Sequence, residues 1–181
     1  MLELKKVMDF TEISYLQNGS SRQCSAYEVL SQYRIMQLLE DFDPILVGTV
    51  PINIDIENSD LDIICCCTDK SRFVDKIITH FANCENFVIR ESADYDSVVI
   101  NFKLEGFEIE IFSQDTPSRQ QYGYRHMLIE YQLLSRFGEE FRQKVLDLKR
   151  QGYKTEPAFA MLLEIDGNPY EGLLKYEFDQ P

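Results

Sequence analysis

The sequence predicts an α/β (α+β) fold, in which helices cover a mixed β-sheet and the C-terminal part is helical. Apolar residues recur at helical spacing before Asp43 and again after Pro117, and short apolar runs with strand character lie between these two regions. This order of helices and strands is typical of a helix-covered mixed sheet. With 181 residues and no repeat or linker, the chain is predicted to form a single domain over 1–181, with a core over 25–115 and C-terminal helices over 117–175 packed on that core.

The N-terminal third predicts a helix followed by two buried strands. The helix follows the breaker Asn18-Gly19-Ser20-Ser21 and stops at Asp43-Pro44. The short apolar run from Ile45 to Val47 ends at Gly48-Thr49 and predicts the first strand. The run from Leu61 to Cys67 predicts the second strand, and its continuous apolarity indicates a central position with cover on both faces of the sheet.

The middle of the chain predicts an amphipathic helix that ends near Asn83, followed by three strands. The helix is marked by Phe73, Ile77, Ile78 and Phe81. The strands are predicted over Phe87 to Glu91, Ser97 to Leu104 and Phe107 to Phe112. Glu105-Gly106 is a turn signal between the last two strands, which therefore form a hairpin.

The C-terminal region predicts helices with a break at Gly138 and short helices through Leu174. Its tyrosines, Tyr122, Tyr124 and Tyr131, are interpreted as packing residues. Arg125 and His126 are interpreted as residues of a helix surface or as a polar pair in the core. Contact with a substrate is the less favoured interpretation.

Composition restricts the function classes. The chain has 18 Lys and Arg against 31 Asp and Glu, a net charge of −13, which disfavours general nucleic-acid binding. The longest apolar run has six residues, from Ala158 to Leu163, far short of the roughly 20 that cross a bilayer. The start MLELKKVMDF lacks the apolar core of a signal peptide, so we expect a soluble, cytoplasmic protein without membrane contact.

The five cysteines predict neither disulfides nor a metal knuckle, because their number is odd and three are consecutive in an apolar run. They are interpreted as small buried residues in a reducing compartment.

The acidic residues near the predicted strands suit a hard cation. Asp60 and Asp62 project from the same face of a strand about 7 Å apart, and carboxylate oxygens are ligands that Mg²⁺ prefers. Glu108 and Glu110 share one face of a later strand, so either could supply a third carboxylate. The plainer alternatives are a solvated strand mouth for Asp60 and Asp62 and a polar strand face for the two glutamates.

Three motifs together carry a resemblance: Val47-Gly48-Thr49, Asp60-Leu61-Asp62-Ile63 and Ile109-Glu110-Ile111. Their order and spacing resemble the polymerase-beta nucleotidyltransferase superfamily over about residues 25 to 135, and its small uncharacterised bacterial members most of all. The resemblance implies that Gly48 and Thr49 hold the terminal phosphates of a nucleoside triphosphate. It also implies that Asp60 and Asp62 bind two Mg²⁺ (or Mn²⁺), and that Glu110 joins the catalytic metal and helps to deprotonate the acceptor hydroxyl.

The resemblance therefore implies a metal-dependent nucleotidyltransferase that moves a nucleoside monophosphate to a hydroxyl, and leaves the acceptor, the nucleotide and the oligomeric state open. One alternative is a catalytically inactive binding or regulatory module of the same fold, because the loop from Val50 to Asn58 has no Lys or Arg for phosphates. Basic candidates elsewhere are Lys70 and Arg72. A metal-dependent phosphohydrolase is a third class, which the small number of histidines disfavours.

Overall fold

The structure, a computed structural model, describes residues 8–92 and 96–176. Five strands form one mixed sheet: β1 (Ile45–Val47), β2 (Leu61–Cys66), β3 (Glu85–Ser92), β4 (Ser97–Leu104) and β5 (Phe107–Gln114). Their order across the sheet is β1-β2-β5-β4-β3. The pair β2 and β5 is parallel, whereas the other neighbouring strands are antiparallel. The predicted mixed α/β class is confirmed.

Six α-helices accompany the sheet in the described residues: α1 (Ser21–Gln32), α2 (Ile35–Leu38), α3 (Lys70–Phe81), α4 (Tyr122–Arg150), α5 (Thr155–Leu162) and α6 (Pro169–Leu174). The helix predicted to run up to Asp43 is interrupted. Arg34 adopts the left-handed backbone conformation (φ 53°), which ends one helical segment before the next begins. This turn directs Ile35 and Leu39 into the core, where both are fully buried.

The first face of the sheet is covered by α1 and α3. Leu61 and Ile63 of β2 and Ile109 of β5 pack there with Leu30 and Phe73 from these helices. On the opposite face, a second apolar cluster packs Val47 of β1 and Ile64 of β2 against residues of the C-terminal helices: Met127, Leu134 and Phe159. Burial on both sides of β2 agrees with its predicted inner position in the sheet.

Local turn chemistry agrees with the sequence at two glycines. Glu105 and Gly106 both have positive φ (48° and 83°), as a two-residue hairpin between β4 and β5 requires. Gly138 has φ 75° and ψ −163° and breaks α4 where the sequence predicts a break. All five cysteines are free thiols, with Cys65 and Cys67 buried. None of the described helices is long and apolar enough to cross a membrane.

Gln23 of α1 fixes the loop that follows β1, and its replacement tests this contact. Its buried amide donates hydrogen bonds to the carbonyl oxygens of Val50 (2.8 Å) and Pro51 (3.1 Å). We expect Gln23→Ala to lower the free energy of unfolding by about 1–3 kcal/mol, because these carbonyls lose their donor. Urea denaturation measures the loss, and the control is Gln32→Ala at the exposed end of the same helix. Equal stability of the two variants would contradict the assignment.

Candidate functional site

A cleft of about 730 Å³ lies between the second face of the sheet and helices α4 and α5. This volume is within the range of small-molecule sites. Its floor comes from the sheet and the loops that follow β1: Gly48, Thr49, Asp60, Asp62, Glu110 and Phe112. Its opposite wall, called the helical wall below, is formed by Tyr122, His126, Glu130, Lys149, Tyr153, Lys154 and Glu156.

The predicted carboxylates meet at the floor of this cleft. Asp62 lies directly opposite Glu110 in the parallel register of β2 and β5, so both side chains point to the same face. Asp60 is exposed and immediately precedes β2. Glu108 is exposed, lies opposite Lys103 and is not among the residues that line the cleft. Strand register therefore brings Glu110, and not Glu108, beside Asp62.

Asp62 is the most strongly perturbed acid of the floor. Burial raises its pKa to about 8, and the neighbouring charges of Asp60 and Glu110 act in the same direction. Lys149 opposes this shift. Burial and the neighbouring acids therefore disfavour the charged form of Asp62, which a bound cation would favour.

The donor set fits Mg²⁺ or Mn²⁺ in its chemistry, because it consists of carboxylate oxygens. The side chains themselves are turned apart. A Cβ placed on Gly48 would lie 2.4 Å from Oδ2 of Asp62, so this carboxylate faces β1, whereas Oε2 of Glu110 accepts a hydrogen bond from Asn101 on β4. Accordingly, no three His, Cys, Asp or Glu side chains converge closely enough to hold a metal within residues 8–92 and 96–176.

Gly48 and Thr49 form the turn that leaves β1. Gly48 has φ +81°, a conformation that disfavours other residues, and its missing side chain leaves room for the Asp62 carboxylate. The Thr49 hydroxyl donates to the Ser59 hydroxyl at 3.3 Å, and the Ser59 oxygen also accepts from the amide of Ile56 at 2.9 Å. These contacts join the glycine turn to the residue that precedes Asp60.

The helical wall holds a group of buried ionisable residues that the sequence reasoning did not assign to the site. Glu130 and Lys149 are 3% and 6% exposed. Burial raises the pKa of Glu130, as does nearby Glu156, and burial lowers the pKa of Lys149 against the opposite influence of Glu130. His126 directs Nε2 to the carbonyl oxygen of Tyr170 at 3.0 Å and Nδ1 to Glu156 at 3.8 Å.

The break at Gly138 explains why Lys149 was missed. Lys149 lies 19 positions after Glu130 on α4, a separation that would span roughly 28 Å in a straight helix. Both nevertheless line the same cleft, because the helix changes direction at the kink at Gly138. The only local sequence signal for this arrangement is Gly138 itself.

The basic residues that the sequence singles out lie outside the cleft, with one exception. Lys70 pairs with Asp96 and Arg72 pairs with Asp41. Arg125 is exposed, with its guanidinium 5.6 Å from the ring of Tyr122. His126 alone of these residues lines the cleft.

The interpretation of the tyrosines as packing residues is confirmed for Tyr124 and Tyr131, which contact the second apolar cluster. It is wrong for Tyr122, which is 67% exposed and lines the cleft. Helical periodicity alone does not distinguish a residue at the mouth of a cleft from one beneath it.

Comparison with known proteins gives a family and a fold. A family model described as "Domain of unknown function (DUF4269)" matches residues 28–176. No curated protein is significantly similar to the chain.

Among solved structures, the chain is similar to Cid1 with the UTP analogue UMPNPP, at 14% identity and TM-score 0.55 over 81% of this chain and 48% of that one. GLD-2 in the GLD-2/RNP-8 complex matches at 14% identity and TM-score 0.54 over 84% and 62%. Cid1, in a study of its RNA terminal uridylyl transferase activity, matches at 14% identity and TM-score 0.53 over 72% and 41%. The chain thus spans less than half of Cid1. The similarity to these structures confirms the predicted nucleotidyltransferase-like fold.

Replacement of the half-buried Asp62 carboxyl group by an amide is expected to stabilise the metal-free protein. The folded pKa, about 8, lies above the ordinary value of 3.8, so the stability that the protonated group contributes is present below pH 3.8 and is lost as pH rises to about 8. We expect Asp62→Asn to raise the free energy of unfolding by about 1–4 kcal/mol at pH 7.

Urea denaturation in EDTA at several pH values between 5.5 and 8 checks this expectation, and the gain should grow with pH. The matched control is Asp75→Asn, an exposed acid on α3. A loss of stability in Asp62→Asn at pH 8 would instead assign the carboxylate a structural role.

Proposed function

Because the chain belongs to the DUF4269 family, whose description states no activity, we propose a function from the site: a metal-dependent nucleotidyltransferase. It transfers a nucleoside monophosphate from a nucleoside triphosphate to a hydroxyl of an acceptor. The observation that carries the proposal is the register of Asp62 with Glu110 at the floor of the cleft, beside the glycine turn of Gly48. The fold shared with Cid1, which has RNA terminal uridylyl transferase activity, supports the same reaction class.

The proposed roles follow from the chemistry of the residues. Asp60, Asp62 and Glu110 would hold Mg²⁺ or Mn²⁺, which would neutralise charge on the phosphates and lower the pKa of the acceptor hydroxyl. Glu110 would accept the proton of that hydroxyl. The acceptor oxygen forms a bond to the α-phosphorus, the bond from this phosphorus to the bridging oxygen breaks, and pyrophosphate leaves with that oxygen.

The phosphates would be held by the glycine turn and by the helical wall. Gly48 allows close approach of a ligand to the backbone, and Thr49 has a hydroxyl. The loop over 50–58 has no basic residue, but Lys149 and Lys154 line the cleft from the opposite side. These two lysines supply the positive charge that the loop lacks.

Exposed tyrosines in the cleft are suited to a planar base. Tyr122 and Tyr153 are 67% and 42% exposed and both line the cleft. Aromatic rings of this kind stack on nucleobases without strong preference for one base.

Incubation with each α-labelled triphosphate and Mg²⁺ or Mn²⁺, alone and with cell extract, tests the proposed nucleotidyl transfer. Label transferred by the wild type, and lost in Asp60→Ala with Asp62→Ala, is the expected result.

The second candidate is a nucleotidyltransferase-like module that binds a ligand without catalysis. It is favoured by the direction of the Asp62 carboxylate, which faces Gly48, and by the lack of a metal-holding group among the described residues. Triphosphate binding without transfer of label to any species would support it.

Three further predictions rest on the sequence alone: similarity to small bacterial members of the polymerase-beta nucleotidyltransferase superfamily, a cytoplasmic location, and a single domain over 1–181. Residues 1–7, 93–95 and 177–181 of that range lie outside the described residues.

The cation site is tested by removing its two aspartates. We expect Asp60→Ala with Asp62→Ala to weaken Mn²⁺ binding in the presence of triphosphate by about 10-fold or more, because a carboxylate donor is lost at each position. Titration calorimetry measures the change, with Asp75→Asn as the control for charge removal elsewhere. Wild-type affinity in the double variant would mean that the cation site lies elsewhere.

Glu110 and Glu108 are distinguished by a matched pair of substitutions. Glu110→Gln is expected to lower the turnover number by about 100-fold or more with triphosphate affinity nearly unchanged, because the lost proton acceptor acts mainly in the transition state. Glu108→Gln, two residues away on the same face, should lower it far less. Steady-state kinetics of label transfer measures both, and the reverse ranking would transfer the role to Glu108.

A further inference from the structure

A line of polar side chains crosses four neighbouring strands on the second face of the sheet. It runs from Arg90 in β3 through Asn101 in β4 and Glu110 in β5 to Asp62 in β2. Asn101 lies directly opposite Glu110, and Glu110 lies directly opposite Asp62. Arg90 lies opposite Val99, two residues before Asn101, so that alternation along β4 brings all four side chains to one face.

Hydrogen bonds connect the first three members of this line. The guanidinium of Arg90 donates to Oδ1 of Asn101, and Nδ2 of Asn101 donates to Oε2 of Glu110 at 3.0 Å. A guanidinium has only donors and a carboxylate only acceptors, so the amide between them must turn its carbonyl to Arg90 and its NH₂ to Glu110. No other side chain in the described part of the chain donates a hydrogen bond to Glu110.

We propose that Asn101 is a positioning residue for Glu110, with Arg90 fixing the orientation of its amide. The inference rests on the proposed function. Asn101 holds one carboxylate oxygen on the β4 side and thereby leaves the other for a cation or for the proton of an acceptor. It restrains a side chain that would otherwise rotate about three bonds.

The choice of a neutral residue has a physical reason. A lysine or arginine in direct contact with Glu110 would neutralise it and compete with a cation for its oxygens. The amide of Asn101 instead orients the Glu110 carboxylate through a hydrogen bond, and it separates this carboxylate from the Arg90 guanidinium. Glu108 has no such partner, because the residue opposite it is Lys103 and it is exposed to solvent.

The contact itself is tested in the metal-free protein, where no activity is needed. Glu110→Gln is expected to shift the side-chain amide ¹H,¹⁵N resonances of Asn101, whereas the matched substitution Glu108→Gln should leave them in place. Equal effects of the two substitutions, or none from either, would overturn the inference at the level of the contact.

The positioning role is tested by Mn²⁺ affinity in the presence of a non-hydrolysable triphosphate. We expect Asn101→Leu to weaken Mn²⁺ binding by about 10-fold, Asn101→Gln to recover most of the loss because it retains the amide, and Lys103→Gln to change it by less than about 2-fold. Arg90→Met, at an exposed position, should weaken it by about 3-fold and keeps the test valid if Asn101→Leu does not fold.

The outcomes separate this inference from the proposed function. Wild-type Mn²⁺ affinity in folded Asn101→Leu and Arg90→Met would overturn the positioning role, while label transfer by the wild type would leave the proposed function intact. Absence of Mn²⁺ binding by the wild type would overturn both, even where the resonance shifts confirm the contact between Asn101 and Glu110.

Discussion

The parallel pairing of β2 with β5 is the constraint on which the site depends. It sets Asp62 directly beside Glu110 in a partly buried floor, where two like charges repel one another. Three contacts reduce this repulsion. Gly48 leaves room for the Asp62 carboxylate, and Asn101 holds one oxygen of Glu110 on the β4 side. The charge of Lys149, on the helical wall, favours the charged form of Asp62. Each device lies on a different element, so the site depends on the assembled sheet and helices.

One face of the sheet is packed against helices and stabilises the fold, whereas the other face carries the candidate site. The first face is closed by α1 and α3 over a continuous apolar cluster, which stabilises the strands from the side opposite the carboxylates. The second face is only partly covered by α4 to α6, and the remaining space is the cleft. A firmly packed face can thus support a face on which half-buried carboxylates are energetically unfavourable.

Basic side chains from the C-terminal region lie at the cleft and at the loop after β1, although the protein as a whole is acidic. The loop that follows β1 has no basic residue, yet Arg142 of α4 donates to its carbonyl oxygens at Ile52 (2.7 Å) and Asn53 (2.8 Å). The cleft itself is lined by Lys149 of α4 and by Lys154, which directly precedes α5. The net charge of −13 therefore disfavours a general polyanion-binding surface but is compatible with a local site for phosphates.

The sequence by itself determined the elements and the floor of the site, because strand alternation and turn signals are local. Period-two spacing put Glu110 and Glu108 on one face, and Glu105-Gly106 and Gly138 indicated the hairpin and the helix break. Only the tertiary structure decided which glutamate lies beside Asp62, because register between strands depends on packing of distant segments. It also decided that Lys149 joins the cleft and that Asn101 contacts Glu110, since residues far apart in the chain become neighbours only when the fold is complete.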